Sequence, residues 1–161
     1  MRPVLEKIAE ITGETVHLVE RQGGSVVYID KCESTINSVR MVSRIGMTLD
    51  IFTTAVGKAM SAHLSKGDIT RLWEGTSHIK KTENTIVDLE EYLKEIEKVK
   101  KQGFAVDDQE NERDVRCVAV ALPNAYGEYK YAVSVSAPKS RTDDNTFISR
   151  AKLLKELLEK F

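Results

Sequence analysis

The chain has 161 residues with 24 basic and 25 acidic side chains, a net charge of −1 with histidine neutral, and is 41% apolar and 30% charged. That is the size and balance of one globular domain, able to bury roughly two-thirds of the surface its unfolded chain exposes. It argues against three classes: no apolar run approaches the ~20 residues of a membrane helix, the opening MRPVLEKIAEITGE has no apolar core followed by a small-residue cleavage site, and the charge balance lacks the basic excess of a strong nucleic-acid binder.

In chain order, residues 3–12 are predicted as a helix. Val4, Leu5, Ile8 and Ile11 recur at helical spacing, Pro3 suits a first turn and Gly13 a stop. Residues 15–21 and 25–31, rich in β-branched and aromatic side chains, read as two strands joined by a short Gln22-Gly23-Gly24 turn. Residues 38–42 read as a third strand, and 53–64 as a helix that opens on small residues. Ser65-Lys66-Gly67-Asp68 has the spacing of a capping box and starts a short helix with Ile69, Leu72 and Trp73 inward. Asp88-Leu89-Glu90-Glu91 starts another, in which Leu89, Tyr92, Leu93, Ile96 and Val99 keep the helical period to a stop at Gly103. Its charge-rich run from Lys94 to Lys101 reads as a solvated face. Residues 104–107, 115–122 and 129–136 read as strands. Residues 143–160 read as a last helix with Phe147, Ala151, Leu154, Leu158 and Phe161 on one stripe. The order αββ(β)αααβββα, dominated by hairpin-linked strands, predicts one α+β domain: a central, mostly antiparallel sheet of about six strands flanked by helices.

Two cysteines, Cys32 and Cys117, are too few for a disulfide framework, so a cytoplasmic location with reduced thiols is expected. His17, His63 and His78 are scattered without metal-ligand spacing, so no structural metal is expected. Gly57-Lys58 lacks the spacing of a phosphate loop, and no cofactor is expected.

The hairpin at 115–136 carries the most chemistry. Its turn, Pro123-Asn124-Ala125-Tyr126-Gly127-Glu128, read as a loop over Asn124 to Gly127, sets Pro123 opposite Glu128 and Cys117 opposite Ser134. With a period of two, Cys117, Ala119 and Ala121 share a face with Ala132, Ser134 and Ser136, and Val118, Val120, Val133 and Val135 point the other way. A face of Cys, Ser and Ala leaves space beside hydrogen-bonding groups, as a small polar ligand pocket needs. The alternative is a helix packed closely over small residues, with the hydroxyls bonded locally. Asp107, at the end of the preceding strand, is either solvated surface or the partner of a ligand hydroxyl or polar network. Thr53-Thr54-Ala55-Val56-Gly57-Lys58-Ala59 opens a helix whose free backbone N–H groups suit a carboxylate or phosphate. Close packing of that end on the sheet is the alternative. No Ser, His and acid set has a catalytic context, and Cys117 has no neighbouring His in sequence to lower its pKa, so no enzyme is expected.

Taken together, the motifs resemble the effector-binding domain of IclR-type bacterial transcription regulators, over nearly the whole chain. They are Gly13-Glu14-Thr15-Val16; Val27-Tyr28-Ile29-Asp30; Gly46; Ala55-Val56-Gly57-Lys58-Ala59; and Lys81-Thr82-Glu83-Asn84-Thr85-Ile86. Gly103-Phe104-Ala105-Val106-Asp107-Asp108-Gln109-Glu110, Arg116-Cys117-Val118-Ala119 and Ser134-Val135-Ser136-Ala137-Pro138 complete the series, in order and at the expected spacing.

The resemblance implies a GAF- or profilin-like fold and a pocket for a small organic or aromatic acid, between a helix N-terminus and the Cys and Ser strands. Carried over by motif, the effector site would be Ala55, Val56 and Gly57 through backbone amides, with Asp107, Cys117, Ser134 and Ser136, and wall contacts from Ser38 and Met41. A carboxylate would dock on the amides of Ala55 to Gly57, its remaining oxygens meeting the polar side chains. The resemblance further implies a homodimer or homotetramer that contacts DNA only through a winged helix-turn-helix absent from this chain, which is expected to be an excised fragment or a standalone domain. Two positions depart from the family pattern. Asp114 stands where a Gly usually precedes the Arg-Cys pair by two residues, with an altered turn and an exposed Asp114 expected. Phe52-Thr53 stands where His or Pro is common. The alternative function is a thiol-based enzyme or redox sensor on a similar scaffold, using Cys117.

Overall fold

The elements follow the local chemistry of the chain. A computed structural model describes residues 1–37 and 41–159. In chain order these hold helix α1 (Arg2–Thr12), strands β1 (Thr15–Gln22), β2 (Ser25–Cys32) and β3 (Thr48–Asp50), and helices α2 (Ala55–Ser61), α3 (Lys66–Glu74) and α4 (Leu89–Gln102). Strands β4 (Ala105–Asp108), β5 (Val115–Pro123) and β6 (Tyr129–Pro138) and helix α5 (Asp144–Leu158) follow. The side chains of Thr54, Ser65, Asp88 and Asp143 each accept a backbone N–H three residues on, so four of the five helices begin at a residue that caps them. Gly13 and Gly103 end α1 and α4 in the left-handed conformation that only glycine adopts without strain.

The strands form one six-stranded sheet in the order β3-β2-β1-β6-β5-β4, every neighbouring pair antiparallel. Each face has its own core. On one side Val16, Val118, Val120, Val133 and Val135 meet Leu5 and Ile8 of α1 and Phe147, Ala151, Leu154 and Leu158 of α5. On the other, Val19, Val26, Ala105, Ala119 and Ala132 meet Ala55, Val56, Ala59 and Met60 of α2, backed by Phe52, Trp73, Tyr92 and Ile96. The face assignment read from the β5–β6 hairpin is therefore the one found, and its small side is where α2 lies.

Two expectations are corrected. The first is register: Cys117 pairs with Ser136 and Ala119 with Ser134. The loop is one residue longer, because the Asn124 side-chain oxygen accepts the N–H groups of Tyr126 and Glu128 and pulls Glu128 into the turn. A bulge beside Pro123, which has no N–H to give the ladder, adds a second residue of slip. A slip of two keeps every side chain on its face. The second is the third strand. Residues 38–40 lie outside the described residues, and Met41 and Val42 are irregular. The carbonyls of Met41 and Ser43 accept from the Lys31 ammonium instead of a neighbouring strand. Thr48–Asp50 takes the edge, entering after Gly46 turns the chain at φ +85°. The α2 helix is also shorter than 53–64, since the Thr54 cap leaves Thr53 outside it and the chain turns after Ser61. The last helix stops at Leu158, and Phe161 lies outside the described residues.

Candidate functional site

A cavity of about 130 Å³ opens at the end of the small-residue face, room for roughly ten water-sized groups. The alternation of β5 and β6 brings Cys117, Ser134 and Ser136 to its floor, β4 contributes Asp107, and the first turn of α2 contributes Ala55 and Val56. The face divides between the two readings of it. Ala119 and Ala132 are fully covered by α2, and the polar end beyond them is left open as the cavity floor.

Of the nine residues expected at the site, Ala55, Val56, Asp107, Cys117, Ser134, Ser136 and Met41 line this cavity. Ser38 lies outside the described residues. Gly57 does not line it: its N–H donates to Thr54 Oγ1 at 3.2 Å, and its Cα rests against the Ile51 carbonyl. The amides of Ala55 and Val56 are the first two of the helix and have no acceptor within it. Sequence reasoning missed Tyr28, Ser43, Leu49, Thr54, Asn111, Glu112 and, above all, His17. A lone histidine on a strand carries no motif, but its alternation with Val16 and Leu18 sets it on the Ser134 face, where it pairs with Ser134 across the ladder.

The His17 ring stacks on Tyr28 with centroids 4.5 Å apart. Its Nε2 lies 2.6 Å from Ser43 Oγ, and Nδ1 lies 3.5 and 3.4 Å from the hydroxyls of Ser134 and Ser136. Burial, reinforced by the Lys31 charge, pushes its pKa down to about 3, so the ring is neutral. Asp107 behaves oppositely. It is 3% exposed, and burial, with the charge of Glu110 adding, raises its pKa to about 7 against the pull of Lys58 and two backbone N–H bonds. Those bonds, from Glu110 at 2.7 Å and Asn111 at 3.3 Å, both end on Oδ1. Oδ2 has no partner among the described residues. No Lys or Arg stands among the described residues that line the cavity.

Asp107 makes stability depend on pH. Its folded pKa of about 7 exceeds the ordinary 3.8, so between these values the folded state holds the extra proton. The stabilisation is fully present below about pH 4 and is lost as pH rises towards 7, by up to about 4 kcal/mol at 1.36 kcal/mol per unit. Asp107→Asn keeps the oxygen that accepts the two amides and removes the charge. It is expected to unfold at a higher temperature than the wild type at pH 8, with the gap narrowing by pH 5 and closing below about pH 4. A gap that does not change with pH would contradict the assignment.

The Cys117 thiol is pushed far up by burial, with the Asp107 charge adding, and is held protonated. A nucleophilic or redox-active cysteine needs the reverse, and the thiol-based alternative is not supported. Asp114 is exposed and adopts φ +61°, the left-handed backbone that the family's glycine would adopt freely.

Comparison with known proteins gives a consistent picture. Residues 1–160 match the family described as bacterial transcriptional regulator IclR, C-terminal. The chain is 34% identical over 137 residues to the HTH-type transcriptional regulator KdgR of Escherichia coli K12, covering 85% of this chain and 52% of that protein. It is 36% identical over 140 residues to the regulator XynR of the same organism, covering 87% and 55%. The chain thus spans about half the length of the curated relatives it matches. Among solved structures, Thermotoga maritima IclR superposes with a TM-score of 0.92 at 35% identity over 99% of this chain and 64% of that one. The C-terminal domain of E. coli KdgR superposes at 0.87 and 27% identity, over 99% and 92%.

Proposed function

The chain belongs to the IclR family of bacterial transcriptional regulators, matching its C-terminal domain, and from that premise we propose that it senses a small organic acid in the cavity beside α2. The observation that carries the reading is the convergence, around one space of about 130 Å³, of two unpaired helix amides with Asp107, Cys117, Ser134 and Ser136. A carboxylate seated on the amides of Ala55 and Val56 meets hydrogen-bonding side chains on the floor and apolar contact from Met41, Val42, Met47 and Leu49 on the wall. Gly57 takes no part.

Signalling follows from differential affinity. In a longer regulator built on this domain, the acid would favour one arrangement of subunits, a homodimer or homotetramer, and so change how a winged helix-turn-helix elsewhere in the protein holds operator DNA. An acid that bound both arrangements equally would change nothing. No described helix is long and apolar enough to cross a membrane.

Ser134→Ala with Ser136→Ala tests the pocket. Both hydroxyls make long contacts to His17, and Ser136 also bonds the Cys117 thiol; none of these ties one element of the core to another that the sheet ladder does not already hold, so removing the hydroxyls is expected to leave the fold intact. Calorimetric titration with an acid that binds the wild type is expected to show at least tenfold weaker binding in the double variant, with an unchanged unfolding midpoint in the absence of acid. Unchanged affinity would sink the assignment.

A further inference from the structure

We propose that His17 is a positioning residue that latches one wall of the cavity: its ring, fixed in the sheet, holds the strap Met41–Met47 through the Ser43 hydroxyl, and release of that bond admits the effector; this rests on the cavity being the effector site. Met41, Val42, Ser43 and Met47 line the cavity from an irregular strap between β2 and β3. The backbone bonds that tie the strap to the sheet lie at its β3 end, where Gly46 donates to the Tyr28 carbonyl and Tyr28 to that of Met47. Among the described residues, Met41, Val42 and Ser43 make no backbone–backbone bond. Packing holds this part little, since Val42 is 83% exposed. Two side chains of the sheet hold it instead. The Lys31 ammonium donates to the carbonyls of Met41 and Ser43 at 2.9 and 2.8 Å, and His17 Nε2 meets Ser43 Oγ at 2.6 Å.

The two ties differ. Lys31 is shared with Glu33, 2.7 Å away, and it grips carbonyls that any residue would offer. The His17 bond needs both of its side chains, and it joins the strap to the cavity floor. The ring stands on β1, between β2 and β6, buried and stacked on Tyr28, with Nδ1 turned towards the hydroxyls of Ser134 and Ser136. It cannot follow the strap outward, so the bond to Ser43 breaks when the strap moves. Either ring nitrogen can carry the proton, because each serine hydroxyl both donates and accepts. The latch therefore persists when a ligand engages Ser134 and Ser136.

The test reads access to the cavity through Cys117, which lines it, with Cys32, buried in the core on the other face of the sheet, as the internal control. The 161-residue chain is exposed to methylmercury at pH 7, and the labelling rate of each cysteine is read by mass spectrometry of its peptide. Ser43→Ala cuts the tie from the strap side and leaves Lys31 on the Ser43 carbonyl. It is expected to label Cys117 at least about fivefold faster than the wild type, the effect of one lost hydrogen bond on the open fraction, with Cys32 labelling and the unfolding midpoint unchanged. His17→Leu should match it, and the two together should add nothing to either alone. His17→Gln, whose amide can take the place of Nε2, should recover most of the wild-type rate. Cys117 labelled no faster in Ser43→Ala, or both cysteines speeding up together, would overturn the latch. No acid takes part, so that result would leave the effector site standing, and a failure of the acid titrations would sink the site without touching the labelling result. Ser43→Ala decides the matter whether or not the His17 variants fold.

Discussion

Lys58→Met is expected to destabilise the domain by about 3–5 kcal/mol, a fall of roughly 10 °C or more in unfolding midpoint. Lys58 is completely buried in α2. Its ammonium lies 2.6 Å from Glu110 Oε1, in the β4–β5 connection, and 3.4 Å from Glu95 Oε1 on α4. Removing it leaves the buried Glu110 carboxylate without its cation, and Glu110 Oε2 already lacks a hydrogen-bond partner. Burial pushes the Glu110 pKa up even with Lys58 present. Without Lys58 the carboxyl takes a proton at higher pH still, so the loss should be smaller at pH 5 than at pH 8. Adding Glu110→Gln should recover part of it. Denaturant unfolding at the two pH values checks each statement, and a loss under 1 kcal/mol at pH 8 would contradict the pair's role. The site is affected too, because the N–H of Glu110 is the closer of the two that orient Asp107.

Gly57→Ala is expected to prevent normal folding or to cost at least about 3 kcal/mol, the upper end of overpacking penalties. A Cβ there would lie 1.8 Å from the Ile51 carbonyl oxygen and 2.5 Å from its carbon. Neither belongs to a side chain that can swing aside, so α2 would have to leave the sheet and carry the Ala55 and Val56 amides away from the cavity. Gly67→Ala is the control. Its Cβ would meet only Ser65 Oγ, at 3.9 Å, and in the first turn of α3 alanine is expected to stabilise by up to about 1 kcal/mol. Similar unfolding midpoints for the two variants would contradict the packing described for α2.

Gly57 marks the boundary between what could be read from the sequence and what could not. Its place in a run of small residues is legible, and both close packing and free amides are fair readings of that run. The structure divides them residue by residue: Ala55 and Val56 face the cavity, and Gly57 is the contact. The hairpin behaves in the same way. Alternation fixes which side Cys117, Ser134 and Ser136 occupy, because a face survives any even slip in register. The partner of Cys117 depended on the Asn124 turn and the bulge at Pro123, which are settled by a few side-chain hydrogen bonds without a periodic signal. Met41 to Ser43 was the least legible, since the carbonyls of Met41 and Ser43 are held by the Lys31 ammonium and the Ser43 hydroxyl by the ring of His17. The pKa of Asp107 depends on Glu110 and Lys58, which approach it only in the fold.

The central claim is that the cavity beside α2 takes a small acid, and thermal unfolding of the wild-type chain against a panel of organic, sugar and aromatic acids tests it most directly. At 100 times its dissociation constant a specific ligand adds about 2.7 kcal/mol, which should raise the midpoint by roughly 5–10 °C for a domain of this size. The account predicts such a rise for at least one acid, lost when Ser134 and Ser136 are both alanine. A midpoint that no acid in the panel moves, or one that moves equally in the double variant, would contradict it.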